Sequence, residues 1–494
     1  VTPPDDHDLN YAGALKRGAL FNTLGGLAKL AQPLSILCVT WLWGPTIMGA
    51  YLLGQSLLEI VSATLSAGYA DATTIFASRH AEPARHDPAQ AQALYRVLAN
   101  TFAITAGLSL IIAFGSLLGA APLVTHVFPG YRALLPGLYW LAFSLLPRSL
   151  GLVAIAATKA MMRMEHDALL YGFLHPFAVL AGYLLVFLAG GGLTALFAVQ
   201  LLVELVVCVL ALAAFARYFS LRSLLSAVRS WQWDRPLLSF AIPQSFNLTF
   251  NRYITRIDSI MLASFGLAEV DLAYFGTAAY LTSNIGQIRG IFSGALAPVL
   301  ARLHVRGEHA AFEHELGRVC RWTTTLAAPL VLILVVLRTD VLRLVSESYT
   351  GNSLFVAVLL IPPLTNCAYG MAGACLMFTG HSKVTLSNSL CVALLNTGFT
   401  YLLIPRYGML GAAVATALAT SITTGLQMIE LWRLEGLRIR WAAVWKPHLG
   451  FLLGALVLAL LWDPAQLGAT GRMTTAVGIG LGFPALLLAL RGLR

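Results

Sequence analysis

The sequence predicts an all-α polytopic membrane protein, with about fourteen transmembrane helices. Three observations carry that expectation. Of 494 residues, 58% are hydrophobic and only 11% charged, against about 25% charged in an average soluble domain. The mean hydropathy is +0.76, so most of the chain is built to face lipid. The apolar runs are each long enough for one crossing, at ~20 residues per span, and short turns separate them. Together these exclude a disordered chain and a soluble globular enzyme, whose surface needs far more charge.

In order, the spans are expected at 18–43, 46–70, 94–119, 134–158, 168–189 and 193–216. A second set follows at 237–264, 272–300, 319–337, 354–380, 384–404, 408–432, 443–462 and 473–490. Gly44-Pro45, Gly190-Gly191-Gly192 and Pro405-Arg406-Tyr407-Gly408 are the tightest turns between them. The start, Val1-Thr2-Pro3-Pro4-Asp5-Asp6, is polar and acidic and does not read as a cleavable signal peptide. Cys38, Cys208, Cys320, Cys367, Cys375 and Cys391 show no CxxC spacing. They read as small buried hydrophobes rather than as disulfides or a zinc site.

The net charge of +10 has a topological explanation. Lys16, Arg17, Arg79, Arg85, Arg96, Lys159 and Arg163 flank alternate connections, as do Arg217, Arg222, Arg229 and Arg235. The pattern continues through Arg302, Arg306, Arg318 and Arg321, then Lys383, Arg433, Arg438, Arg440, Lys446, Arg491 and Arg494. About 22 basic residues thus fall on one side against about five on the other, so that side is cytoplasmic and both termini are expected there. This removes a nucleic-acid partner. Trp41 and Trp43 at an outer end, and Trp231, Trp233, Trp441 and Trp445 at inner ends, suit the interfaces.

Within 217–235, Leu221, Leu224, Leu225, Val228 and Trp231 recur at helical spacing while Arg217, Arg222 and Arg229 project elsewhere. That pattern is an amphipathic helix on the inner leaflet, and it divides the chain nearly in half. The halves are weakly alike. Ala50-Tyr51-Leu52-Leu53-Gly54 answers Ala273-Tyr274-Phe275-Gly276, Pro147 answers Pro362, and Gly191 answers Gly408. Offsets of about 215–223 residues correspond to six helices, which preserves orientation and predicts parallel repeats related by an axis along the membrane normal.

Lys29, Arg148, Arg252, Arg256 and Arg289 lie inside expected spans. Each costs at least ~2.5–3.5 kcal/mol facing lipid at mid-membrane, so these cations should face a wet or protein-lined interior. The competing account of any one is snorkelling or a static pair with an acid. Arg252 and Arg256 share a helix face. Thr282, Gly286, Arg289 and Ser293 form a polar line, and Lys29 shares a stripe with Asn22 and Gln32. Arg148 follows Pro147, where a kink frees backbone groups. The acids are fewer: Glu59, Asp71, Glu204 and Asp258. Glu59 is left open between proton carriage and charge balance, whereas Asp258 reads first as the structural partner of an arginine. His175, before Pro176, reads first as a packing histidine. A surplus of cations predicts an anionic ligand, and arginine's planar fork suits phosphate.

The stretch from Leu402-Leu403-Ile404-Pro405 through Arg406-Tyr407-Gly408 to Ala415-Thr416 closely resembles a recurring segment of bacterial polysaccharide flippases. So does Trp43-Gly44-Pro45-Thr46-Ile47-Met48-Gly49-Ala50-Tyr51. Phe240-Ala241-Ile242-Pro243 to Asp258-Ser259-Ile260-Met261-Leu262 resembles the start of that family's second lobe. Over about 18–435 the order and spacing match the polysaccharide-transporter branch of the multidrug/oligosaccharidyl-lipid/polysaccharide exporter superfamily. The resemblance implies two six-helix lobes enclosing a cationic cavity, with the helices at 443–462 and 473–490 additional. It implies flipping of undecaprenyl-pyrophosphate-linked oligosaccharide repeat units between leaflets of the bacterial inner membrane, by alternating access. Lys29, Arg252, Arg256 and Arg289 occupy compatible positions; Arg148 rests on the residue argument alone.

The expected organisation is a tail 1–17, a first lobe 18–216, a linker helix 217–236, a second lobe 237–433 and two further helices within 434–494. The expected substrate ligands are Lys29, Arg148, Arg252, Arg256 and Arg289, with Glu59 and Asp258 for coupling or charge balance. No cofactor or metal is expected beyond an H+ or Na+ coupling ion. The expected partners are the lipid-linked oligosaccharide, membrane lipid and polysaccharide polymerase or assembly proteins. A lipid II flippase is the first alternative. A multidrug exporter is disfavoured because Lys29 is the only charge in the first span. A membrane glycosyltransferase or polymerase needs outer loops bearing acids or histidines, and here the outer loops are short.

Overall fold

The computed structural model describes residues 31–81, 87–347, 349, 351–379, 381–439, 441–461 and 468–489. Lys29 and the expected tail 1–17 lie outside the described residues. Among those described, every regular element is helical, as the composition requires of a chain in lipid, where only intra-segment hydrogen bonding satisfies the backbone of an isolated span. The chain forms two compact units. One comprises Val1–Arg256 with Ala268–Val270, the other Ile257–Leu267 with Asp271–Arg494.

In the first unit, α1 (Ala31–Ser62) is interrupted at Gly44, whose φ of 82° and ψ of 171° turn the chain before Pro45. This is the expected boundary between the first two spans. A π-helical turn, Ala63–Ala67, then leads into α2 (Gly68–Ala81), so the second span reaches further than hydropathy suggests. Helix α3 (Pro88–Pro122) starts where the Asp87 carboxylate accepts the Ala89 N–H at 2.8 Å, with Pro88 in the first turn. Its far half exposes Ile111 and Leu118, which suits a lipid-facing helix. Helix α4 (Leu135–Ala160) is instead the buried centre of this unit. A Cβ at Gly137 would stand 2.3 Å from the Phe197 ring, so only glycine permits this approach of α4 to α6 (Leu193–Ala216).

A π-helical stretch, Ala168–Leu174, runs into α5 (His175–Leu188), which begins at His175-Pro176. Tyr183 of α5 stacks edge-on against Tyr51, with the hydroxyls 3.0 Å apart. After α6 come the short α7 (Leu221–Arg229) and the long α8 (Arg235–Ser264). The boundary between units falls within α8, after Arg256. Its first part lies tight against α2: a Cβ at Gly68 would meet the Ser245 backbone nitrogen at 2.3 Å.

The second unit contains α9 (Glu269–Ile285) and α10 (Gln287–Val305), parted at Gly286, then α11 (His309–Val336). Short helices follow: α12 (Arg338–Arg343), α13 (Leu354–Leu359), α14 (Ile361–Tyr369) and α15 (Met371–Phe378). Helix α16 (Ser382–Glu435) is broken at Gly408, with φ 53° and ψ −129°. Unbroken it would be ~80 Å long, more than twice the hydrocarbon thickness, so the break makes it a hairpin of two spans. Helices α17 (Trp441–Leu461) and α18 (Ala469–Ala489) complete the described chain. Tyr274 packs edge-on against Tyr349 here, much as Tyr51 packs on Tyr183.

Seven described helical runs are long and apolar enough to cross a membrane, or eight counting Leu354–Tyr369 with Met371–Met377, bent by 51°. Two of the seven, Leu34–His80 and Lys383–Glu435, carry the Gly44 and Gly408 breaks. Over their described residues, the expected intervals from 46 onward are mostly helical. The all-α polytopic fold class stands.

Helix α18 is tied to α12 by Arg472, whose Nε and Nη2 donate to Asp340 at 2.7 and 2.6 Å. Phe483 packs with Ala328 and Leu332 further along. Arg472→Ala removes a bidentate, largely buried pair and is expected to cost about 2 kcal/mol. A lowered thermal midpoint of the detergent-purified protein checks this, with Arg472→Lys intermediate because it loses the fork.

Candidate functional site

The charged groups inside the spans gather in three places. The first is a polar seam between α8 and the second span. Arg256 donates from Nε to Glu59 Oε2 at 2.9 Å and from Nη2 to Oε1 at 2.8 Å. Both side chains are less than a fifth exposed. Below this pair, Thr249 Oγ1 donates to Thr64 Oγ1 at 3.0 Å, and Gln244 Nε2 donates to Asp71 Oδ2 at 2.9 Å. Partner numbers fall along one helix as they rise along the other, the register of antiparallel neighbours. Arg252, one turn before Arg256, is exposed, and its guanidinium has no ion-pair or hydrogen-bond partner among the described residues. The helix face expected from spacing therefore divides its labour. Arg256 is bound to an acid, and Arg252 is open.

The second cluster is in the interior of the first unit. Glu204 is fully buried, and its Oε1 accepts from Arg148 Nη1 at 2.8 Å and lies 3.1 Å from His175 Nε2. Two irregularities bring these groups together. Arg148 follows Pro147 in α4, and His175 closes the π-helical stretch before α5. The Tyr171 hydroxyl donates to the Arg148 carbonyl at 3.5 Å. Arg148 Nε and Glu204 Oε2 are buried without a hydrogen-bond partner among the described residues. Their place inside expected spans marks Arg148, Glu204 and His175 separately, and it gives no sign that they meet.

The third place is in the second unit. Arg289 donates from Nη1 to the Gly370 carbonyl at 3.1 Å, and its buried Nε finds no partner among the described residues. No acid lies in salt-bridge contact with it there. A desolvated guanidinium held by one neutral carbonyl keeps most of its donors for an incoming anion. Asp258, by contrast, is buried among neutral donors. Asn396 Nδ2 reaches its Oδ1 at 3.2 Å, Thr400 Oγ1 at 3.4 Å, and Thr416 Oγ1 donates to Oδ2. Asn396 and Thr400 precede the Gly408 break of α16, and Thr416 follows it, so both arms of the hairpin serve one carboxylate. The arginine partner expected from sequence belongs to Glu59; Asp258 has amide and hydroxyl neighbours instead. Spacing gives no sign of Thr64, Gln244, Thr249, Asn396, Thr400 and Thr416 as site groups, because isolated hydroxyls and amides are common in spans.

A protein-family model described as polysaccharide biosynthesis protein matches residues 95–350, 256 of the 494. Among solved structures, the chain is similar to the lipid II flippase MurJ in an inward closed conformation. The identity is 14% and the TM-score 0.73, covering 96% of this chain and 98% of that one. It is also similar to an inward-facing multidrug resistance MATE family transporter of the MOP superfamily, with 14% identity, TM-score 0.66 and coverage of 85% and 99%. A third is a MOP superfamily transporter from Pyrococcus furiosus, described for the reverse polarity of its binding pocket. There the identity is 16%, the TM-score 0.56 and the coverage 85% and 96%. No curated protein sequence matches. These identities establish the fold alone, an all-α polytopic membrane fold shared with the flippase and the MATE transporter.

Proposed function

Because this chain belongs to the polysaccharide biosynthesis protein family, we propose that it is an alternating-access transporter that carries a polyprenyl-pyrophosphate-linked saccharide across the inner membrane. The partly buried Arg289 carries this reading, because its buried Nε has no partner and its guanidinium no acid among the described residues, which suits a diphosphate. Arg252 is a second open guanidinium, and Arg256 a third that must first share itself with Glu59. We retain all three as pyrophosphate ligands, with Lys29 added on sequence grounds. Arg148 is better suited to holding Glu204 than to meeting a substrate. The reaction is transport without covalent chemistry. A charged headgroup cannot be drawn through hydrocarbon at an acceptable cost, so it needs a polar route with the prenyl tail left in lipid.

Two cargoes fit this chemistry. The likeness to MurJ over 96% of the chain favours lipid II, and supports that alternative better than the oligosaccharide repeat unit. The family description and the Leu402–Thr416 segment keep the repeat unit as the second reading. Both share the pyrophosphate and differ in the sugar. For energy coupling, Asp258 is the stronger of the two carboxylates. Glu59 is already neutralised by Arg256, whereas Asp258 is ringed by neutral oxygen-bearing side chains that suit a proton or Na+. Cytoplasmic termini, lobes at 18–216 and 237–433, and contacts with polymerase or assembly proteins complete the proposal.

Vesicles containing the purified protein and either lipid II or a lipid-linked repeat unit separate the cargoes. Protection of one labelled saccharide from an external glycan-modifying enzyme is expected, and transport of neither would overturn the reading. In the same assay Asp258→Asn should abolish any dependence on a proton or sodium gradient. A gradient response unchanged in Asp258→Asn would transfer coupling elsewhere.

A further inference from the structure

The segment Arg217–Arg235 of the first unit carries cations that the transport reading does not use. Arg217, Arg222, Arg229 and Arg235 are all exposed, and none forms an ion pair or a side-chain hydrogen bond among the described residues. No acid occurs between Arg217 and Trp233. Beside these cations stand exposed apolar groups: Leu221 at 48%, Leu225 at 61% and Trp233 at 62%. A soluble surface does not keep apolar side chains and unpaired guanidiniums side by side on one short helix without a partner.

The segment is docked firmly. The Ser220 N–H donates to the Tyr95 hydroxyl at 2.8 Å, and the Ser220 side chain caps α7 by accepting from Ser223 N–H at 3.2 Å. At the other end, Asn100 Nδ2 donates to the Gln232 carbonyl at 2.8 Å, and its Oδ1 accepts the Asp234 N–H at 3.3 Å. Leu224 is buried where α7 packs on α3. One edge of the helix is therefore used up, and the orientation of the rest is set. At about 100° per residue, Leu221, Leu225 and Val228 fall within about 60° of one another, next to Leu224. Arg222 and Arg229 lie some 40–60° beyond Leu225, along the edge of that apolar stripe. An apolar stripe edged by guanidiniums matches the depth profile of a bilayer interface, with acyl chains below and headgroup phosphates above.

We infer that Arg217–Arg235 is a binding surface for anionic phospholipid headgroups of the cytoplasmic leaflet, with α7 lying at the acyl boundary and its arginines on the phosphates. The charge specifies the occupant. Four unpaired arginines gain from negative headgroups, by roughly fivefold in affinity each, and gain far less from zwitterionic ones. The surface needs a bilayer beside it and no particular cargo, so it stands or falls apart from the identity of the transported lipid.

The test uses the full chain in phosphatidylcholine vesicles containing either brominated phosphatidylglycerol or brominated phosphatidylcholine at equal mole fraction. Bromine quenches tryptophan only at contact. The emission lost on Trp231→Phe/Trp233→Phe isolates this segment from the other tryptophans. That component should be quenched several-fold more effectively by the brominated anionic lipid. High salt, or Arg222→Gln/Arg229→Gln in the protein, should bring the preference down to near parity. Equal quenching by the two lipids in wild type would overturn the charge selectivity. Absence of quenching by both would show the segment away from the bilayer and leave its cations to an acidic soluble partner, which overturns the inference as well. Circular dichroism and monodispersity of the arginine variants, whose side chains are exposed, verify that they are folded.

Discussion

Arg289→Ala is expected to slow transport of the lipid-linked saccharide by roughly 10- to 100-fold while leaving the yield of folded protein near wild type. Among the described residues the guanidinium makes one hydrogen bond, to the Gly370 carbonyl, and meets no acid that its loss would strand. Its removal therefore takes away a desolvated cation without creating an uncompensated charge. Charge-assisted hydrogen bonds to a diphosphate are worth about 1.5–3 kcal/mol, which corresponds to a rate loss of roughly 10- to 100-fold for one arginine. Arg289→Lys should recover part of this, since the charge remains and the bidentate fork is lost. Arg256→Ala should behave differently. It leaves the Glu59 carboxylate half-buried without its two guanidinium contacts, so folded yield should fall along with transport. Arg256→Ala with Glu59→Gln removes the stranded charge, and should restore folding but not transport. Yield and monodispersity report the first effect and saccharide flipping the second. Wild-type flipping by both Arg289→Ala and Arg256→Ala/Glu59→Gln would eliminate the cationic route.

That separation could not have been made from sequence, and the reason is physical. Hydropathy and helix period report which face of a span is polar, and they placed the spans, the Gly44 and Gly408 breaks and the amphipathic α7. Glycine at these breaks adopts positive φ, which a side chain resists, so the turn residues announce themselves. Pairing is a different kind of information. Arg256 meets Glu59 across 197 positions, and Asp258 meets Asn396 and Thr400 across 138 and 142. Nothing local distinguishes an arginine that will be neutralised from one that will stay open. Asp258 sits two residues from Arg256, and helix geometry turns them apart. Each therefore finds its partner on a different element. The seam of Thr249 on Thr64, and of Gln244 on Asp71, was equally illegible as a pairing, because hydroxyls in a span mostly satisfy themselves on the carbonyl four residues back. Thr249 does so on Ser245 as well as reaching Thr64. The π-helical stretch at Ala168–Leu174 has no sequence signature of its own, yet it positions His175 on Glu204.

The same reasoning assigns the largest stability effect to Glu204. Its carboxylate is fully buried, and one oxygen receives both Arg148 and His175. Replacing it by methionine leaves the largely buried Arg148 guanidinium without its acid, with Nε already unpartnered among the described residues. Breaking a buried pair in this way costs about 3–5 kcal/mol, far more than the pair contributes over a well-packed apolar substitute. Arg148→Met should be comparably damaging, since it strands the carboxylate. The double variant Arg148→Met/Glu204→Met should recover most of the loss, because both charges leave together and the side-chain volumes are roughly kept. Thermal midpoints of the four proteins form a double-mutant cycle, and the expected signature is strong non-additivity. A pyrophosphate-binding Arg148, as the sequence suggested, produces another pattern. Arg148→Met would then lose transport at unchanged midpoint, Glu204→Met would leave the arginine free to bind cargo, and the double variant would be inactive and stable. The geometry favours the first pattern: Arg148 already spends a donor on an acid that has no access to water, whereas Arg289 meets no acid among the described residues. A transport-active, thermally recovered double variant would place Arg148 in the scaffold and leave anion binding to Arg252, Arg256 and Arg289.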